Sequence, residues 1–103
     1  MDNALNITTP TMVVSVVIPC FRAEKTIRTV VEDIPDFIAN IYCINDASDD
    51  NLAQVLDALE SEHPRVRVLT HGQNQGVGGA VITGYKADIS GGSHIVETGR
   101  RAS

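Results

Sequence analysis

At 103 residues the chain has room for one domain and not for a second. Thirteen acids against eight bases leave a formal charge of −5, which excludes nucleic acid held on a basic face and disfavours acidic partners in general. No apolar run approaches the roughly 20 residues of a membrane-spanning helix, and Cys20 and Cys43 sit inside apolar runs with no signal peptide ahead, so a cytoplasmic chain with reduced, buried thiols is expected.

Residues 1–11 carry no period and are expected to form a loose leader. Met12-Val13-Val14-Ser15-Val16-Val17-Ile18 is nearly continuous in apolar residues, the pattern of a parallel strand covered on both faces, and Pro19 is expected to stop it. Between Ala23 and Ile34 the residues Ile27, Val30, Val31 and Ile34 fall at i, i+3, i+4 and i+7, which predicts a helix ended by Pro35. Ile41-Tyr42-Cys43-Ile44 predicts a short buried strand that ends abruptly at Asn45 and Asp46.

A second helix over about Asp50 to Glu62 repeats the spacing with Leu52, Val55, Leu56 and Leu59. Ser48 or Asp49 is available as its N-cap, and His63-Pro64 closes it. Val66-Arg67-Val68-Leu69 alternates like a shorter strand nearer a sheet edge, and His71-Gly72-Gln73-Asn74 turns the chain into a third helix from about Gly76. Its expected apolar face is Val77, Ala80, Val81 and Gly84, with Ala80 and Gly84 small enough for close approach to a sheet. Gly91-Gly92 ends it, and Ser93-His94-Ile95-Val96 begins a fourth strand. Strands alternating with helices in this order predict an α/β fold, a Rossmann-like parallel sheet with right-handed crossovers. Ligands of such sheets bind at the C-terminal edge of the strands.

The segment from Gly76 to Gly84 fails both nucleotide fingerprints. Val81 stands where a dinucleotide motif needs its third small residue, the segment follows the third strand instead of the first, and no Gly-Lys-Ser/Thr triplet exists. Two readings remain open: close packing of helix on sheet, or backbone at Gly76 to Gly79 approaching an anionic ligand. Asp46, Asp49 and Asp50 offer carboxylates to a hard cation, whereas capping of the second helix accounts for Asp49 and Asp50 without one. Asp46 ends a buried strand, where a fixed carboxylate can accept a hydrogen bond from the ring N–H of uracil or guanine. His63, His71 and His94 show no metal spacing and are expected at the surface or in turns. Cys20 has only Arg22 nearby to lower its thiol pKa and is read as inert.

Taken together, Val-Ser-Val-Val-Ile-Pro-Cys-Phe (14–21), Ile-Asn-Asp-Ala-Ser-Asp-Asp (44–50) and Asn-Gln-Gly-Val-Gly-Gly-Ala-Val-Ile-Thr-Gly-Tyr-Lys (74–86) resemble the family 2 glycosyltransferases over roughly residues 13–96. The third segment is most similar to polyprenyl-phosphate and dolichol-phosphate sugar transferases. The resemblance implies the N-terminal half of a GT-A fold, with about four strands and three helices, a UDP- or GDP-sugar donor, and an acceptor such as a polyprenyl phosphate. By position it implies nucleotide contacts from Pro19 and Phe21, with Phe21 where the family usually has tyrosine, from Asp46 at the nucleobase, and from Gly76, Gly78 and Gly79 near the nucleotide. Arg22 and Ala23 replace the usual Asn-Glu, leaving Glu24 to supply a carboxylate one place later. Ala47 replaces the usual glycine, which would be strained if that turn requires positive φ.

After the fourth strand the family carries Asp-x-Asp, which binds Mg or Mn; counting on from Ile95-Val96, Arg100-Arg101-Ala102 hold those places. No cofactor is therefore expected for this chain as it stands, and no catalytic residue is assigned. The expected division is a leader over 1–11, a nucleotide-sugar-binding half-domain over 12–96 and an atypical tail over 97–103, suggestive of a truncated or frame-shifted product. The alternatives are a non-catalytic nucleotide-binding or interaction module, or an inactive product that self-associates through an exposed sheet edge.

Overall fold

A computed structural model describes residues 14–90 and 95–98. Four strands, β1 (Val14–Cys20), β2 (Asn40–Asn45), β3 (Val66–Thr70) and β4 (Ile95–Thr98), alternate with helices α1 (Ile27–Glu32), α2 (Leu52–Glu62) and α3 (Gly76–Ser90). They form one sheet in the order β3-β2-β1-β4, parallel at every pairing. The expected α/β architecture is present, with β3 at one edge. β4 continues through Thr98, two residues into the segment read as a tail. The leader over 1–11, Gly91-Gly92, His94 and Arg100-Arg101-Ala102 lie outside the described residues.

Side chains alternate across the sheet and build two unequal cores. Val16, Ile18, Cys20, Ile41, Cys43 and Val66 face α1 and α2, meeting Ile27, Val31, Leu52, Leu56 and Leu59. The opposite face, under α3, is smaller: Val17, Tyr42, Ile44 and Ala80, with Leu69 and Ala87 at its margin. Both cysteines are buried and unbridged.

Three boundaries differ from expectation. Pro19 does not stop β1, which runs on to Cys20. The carbonyls of Val14 and Cys20 accept hydrogen bonds from Ala39 and Asp46 on the β2 side. Alternation therefore points the Pro19 backbone toward the β4 side, where the described pairing has already ended at Val17↔Thr98, and its missing N–H costs no described ladder bond. Helix α1 begins at Ile27 instead of Ala23, because the N–H groups of Arg22 and Glu24 are committed to side chains of the β2–α2 loop. Val77, expected on the apolar face of α3, is 40% exposed, and the buried face is instead carried by Ala80, Gly84 and Asp88.

Asp88 is an anomaly in that smaller core. Its carboxylate is fully buried, and neither oxygen completes a hydrogen bond within the described residues. Its charge lies close enough to Tyr42 to add to the effect of burial in pushing that phenol up, against the opposing pull of Arg67. An unsatisfied buried polar group costs about 1–3 kcal/mol, more when charged. Asp88→Ala is therefore expected to raise stability by about 1–2 kcal/mol in urea unfolding, after allowing for the small cavity left. The Tyr42 phenol should titrate lower in the variant by ultraviolet absorbance. Loss of stability would mean that Asp88 is paired.

Candidate functional site

Three loops leave the C-terminal edge of the sheet, after β1, β2 and β3, and two backbone bonds extend the ladder past the strand ends. Asp46 N–H donates to the Cys20 carbonyl, and His71 N–H donates to the Asn45 carbonyl, each at 2.9 Å. These bonds fix the first residue after β2 and the first after β3 as firmly as strand residues.

The Asp46 carboxylate, 1% exposed as a residue, is turned toward the start of α3. Its Oδ1 accepts from Gln75 N–H at 2.8 Å and lies 2.8 Å from His71 Nδ1, and its Oδ2 accepts from Gly76 N–H at 2.8 Å. Asn74 Nδ2 donates to the Asp46 carbonyl at 3.1 Å. Burial pushes this carboxyl up, but the hydrogen bonds from Gln75, His71 and Gly76 outweigh it and hold the group below the usual aspartate range. A carboxylate has about four acceptor positions. Oδ1 uses two and Oδ2 one, so Oδ2 keeps one for a further donor.

His71 departs from expectation: it is buried, and its Nε2 reaches Thr83 Oγ1 at 2.7 Å, while Thr83 Oγ1 also lies 3.1 Å from the Gly79 carbonyl. The signal in the sequence was its place directly after a strand, the same place that singled out Asp46.

The loops after β1 and β2 are joined by a second network. Arg22 makes a two-pronged contact with Asp49 at 3.1 and 3.0 Å, and its N–H donates to Ser48 Oγ at 2.8 Å. The Glu24 N–H donates to Asp50 Oδ2 at 3.3 Å, and Leu52 N–H to Asp50 Oδ1 at 3.1 Å. Asp50, and neither Ser48 nor Asp49, thus supplies the acceptor at the start of α2. The Arg22 guanidinium holds Asp49 below the usual range; in Asp50 the cost of burial is outweighed by Ser48 and the Leu52 and Glu24 N–H groups, with the same net direction. The Arg22 guanidinium also lies 5.1 Å from the centroid of the Phe21 ring.

Ala47 has φ 58°, so the turn where the family usually has glycine does require the left-handed region, as does Arg22 at φ 55°. Each costs about 1 kcal/mol relative to an unstrained residue. The anchors on either side hold Ala47 there: the Asp46 N–H bond to β1, and Ser48 N–H donating to Asn45 Oδ1 at 3.0 Å.

The glycines divide between the two open readings. Gly84 lies against Val17 and is a packing residue, and a Cβ on Gly79 would meet the Gln75 side chain. Gly76 has φ 77°, required to present its N–H to Asp46, and a Cβ on Gly78 would meet open space. Pro19, Phe21, Glu24, Asp46, Gly76 and Gly78 therefore lie on the strand-end edge of the sheet or on the loops and helix start that rise from it. Asp46 and Gly76 are in direct contact, and Phe21 and Glu24 belong to the neighbouring network.

The donor set for a metal is poor among the described residues. Asp46 is surrounded by N–H groups, Asp49 is paired with Arg22, Asp50 accepts two backbone N–H groups, and no cluster of three or more His, Cys, Asp or Glu is positioned to hold an ion. These residues do not fit a divalent cation.

The profile of the family described as Glycosyl transferase family 2 matches residues 15–87. The chain is 33% identical to UDP-N-acetylglucosamine--dolichyl-phosphate N-acetylglucosaminyltransferase of Methanococcus voltae over 95 residues, covering 80% of this chain and 38% of that protein. It is 29% identical to dolichyl-phosphate beta-glucosyltransferase ALG5C of Trichomonas vaginalis over 79 residues, covering 66% of this chain and 23% of that one. The chain thus spans well under half the length of these relatives. Among solved structures, the mannosyltransferase PcManGT of Pyrobaculum calidifontis, in complex with GDP-Man and Mn2+, superimposes with a TM-score of 0.57 at 18% identity, over 79% of this chain and 28% of that one. That likeness shows the shared fold.

Proposed function

The chain belongs to glycosyl transferase family 2, and from that membership we propose that it is the part of a sugar transferase that binds the nucleotide-sugar donor. The observation that carries this reading is the convergence of Asp46, Gly76 and the open space beside Gly78 at the C-terminal edge of a parallel sheet, where such folds take their ligands. The nucleobase of a UDP- or GDP-sugar lies between Phe21 and Asp46, giving its ring N–H to the remaining acceptor position of Asp46 Oδ2. The diphosphate follows the backbone from Gly76 to Gly79, Pro19 shapes the pocket floor, and Glu24 faces the ribose side. The acceptor is a polyprenyl phosphate, a reading supported by the two dolichyl-phosphate relatives. The groups that activate the acceptor and neutralise the departing diphosphate come from outside the residues described. Two buried thiols that form no disulfide suit a cytoplasmic location, and no helix among the described residues is long and apolar enough to cross a membrane.

Calorimetric titration with UDP and with GDP tests the proposal. Saturable binding of one of them is expected, weakened about tenfold by Phe21→Ala through lost base stacking. Absence of binding to both would overturn it. A second reading, an interaction module that keeps the fold without a ligand, is favoured by the engagement of Asp46 with three donors from its own chain. It would be supported by oligomers that form through the β4 edge and do not respond to nucleotide.

A further inference from the structure

His71 does not belong to the nucleotide contacts just proposed, yet its ring is the link between the end of β2 and the first two turns of α3. Nδ1 faces Asp46 Oδ1 at 2.8 Å and Nε2 faces Thr83 Oγ1 at 2.7 Å, in a side chain 7% exposed. An ionised carboxylate only accepts, so Nδ1 carries a proton, and in the neutral ring Nε2 accepts from the Thr83 hydroxyl. If the ring takes a second proton, Nε2–H donates to Thr83 Oγ1, and the hydroxyl turns to the Gly79 carbonyl 3.1 Å away. The ring keeps both of its partners in either state, and the single Thr83 proton serves Nε2 in the first and the Gly79 carbonyl in the second. What changes is the charge beside Asp46. An imidazolium paired with Oδ1 draws on the same carboxylate that is to accept from the ligand.

We propose that His71 is a positioning residue for the donor pocket, holding Asp46 in its ligand-accepting orientation and linking nucleotide affinity to the protonation of its own ring. The inference rests on the donor-binding reading above. The ionisable group in contact with the ring is Asp46, from the end of β2. Helix α3 presents the Thr83 hydroxyl, with Lys86 and Asp88 in later turns. In the β2–α2 loop, Asp49 is committed to Arg22, and Asp50 to Ser48 and backbone N–H groups. On the sheet face under α3, β2 adds the Tyr42 phenol, while the thiol of Cys20 lies on the opposite face with α1 and α2.

The test is calorimetric titration of the full chain with UDP and GDP at about pH 8 and about pH 5.5, the range over which histidine titrates, on the parent, His71→Leu and His71→Asn. The asparagine amide reproduces the Nδ1–H donor to Asp46 and does not titrate. At the higher pH, His71→Leu is expected to bind about tenfold more weakly and His71→Asn to stay within about threefold of the parent. Between the two pH values the parent should lose several-fold more affinity than His71→Asn; titration of the ligand's own phosphate is common to both and cancels. Undiminished binding by His71→Leu, or the same pH slope in His71→Asn as in the parent, would overturn the proposal. If His71→Leu does not fold, the pH slopes of the other two chains decide. No binding by the parent at either pH is a different result: it overturns the donor-binding reading, and this inference with it.

Discussion

Asp46→Ala is expected to lower the stability of the chain by about 3–5 kcal/mol, the cost of removing the shared acceptor of a buried, charge-assisted cluster. The His71 Nδ1–H and Gln75 N–H groups lose their acceptor in a site that water reaches poorly, and Gly76 N–H keeps only its 3.1 Å contact with Asn74 Oδ1. Against a typical total of about 5–15 kcal/mol this is a large fraction. Asp46→Asn should cost less, because its amide oxygen still accepts from two donors while the NH2 group faces the third. The pH dependence follows from the depressed carboxyl. A group whose folded-state pKa is lowered contributes fully above its unfolded value of about 3.9 and loses that contribution as pH falls through the folded value. Urea unfolding from neutral pH down into the acid range should show a steeper loss for the parent than for Asp46→Ala. Equal slopes would show that the carboxylate is not stabilised by these bonds.

Gly84→Ala is the other large effect. Alanine is the better helix former by about 1 kcal/mol, so an exposed glycine at this place would gain from the change. Here the added Cβ would sit 2.4 and 2.7 Å from the two Cγ atoms of Val17, well inside contact distance. Val17 is fully buried on a strand with neighbours on both sides, and a β-branched side chain is restricted about χ1. Helix α3 must lift instead, opening the small core beneath it. A net loss of about 1–3 kcal/mol is expected. Val17→Ala in the same chain should give back part of it, so the two changes together cost less than their sum in a double-mutant cycle. A stabilised Gly84→Ala chain would place α3 farther from the sheet.

The alternation of strands and helices was legible because each strand is a short apolar run and α1 and α2 carry complete apolar stripes, as at Leu52, Leu56 and Leu59. The small residues of α3 were legible for the same reason, and so was the strain at Ala47. Less was visible where a residue's role depends on another segment. Pro19 stops a strand only if its missing N–H has a partner to lose, which the strand order decides. The start of α1 is set by hydrogen bonds to a loop some 26 residues away. Val77 fits the periodic pattern but turns outward, while Asp88, which no hydrophobic pattern would place inside, turns in. His71 gave the weakest signal of all, since neither of its partners is adjacent in sequence.

The unequal cores have a consequence for cooperativity. The face bearing α1 and α2 closes over most of the apolar side chains. α3 rests on a few, with a glycine at its closest approach and the buried Asp88 carboxyl on its own inner face. Detaching α3 therefore exposes the least apolar surface, and the sheet with α1 and α2 can persist through such an opening as a separate foldon. The hydrogen bonds that fasten α3 at its first turn run to Asp46, at the proposed ligand site. If the proposed site binds a nucleotide, part of that affinity is spent closing this opening, and reduced amide exchange is expected along the whole helix, out to turns the ligand never touches.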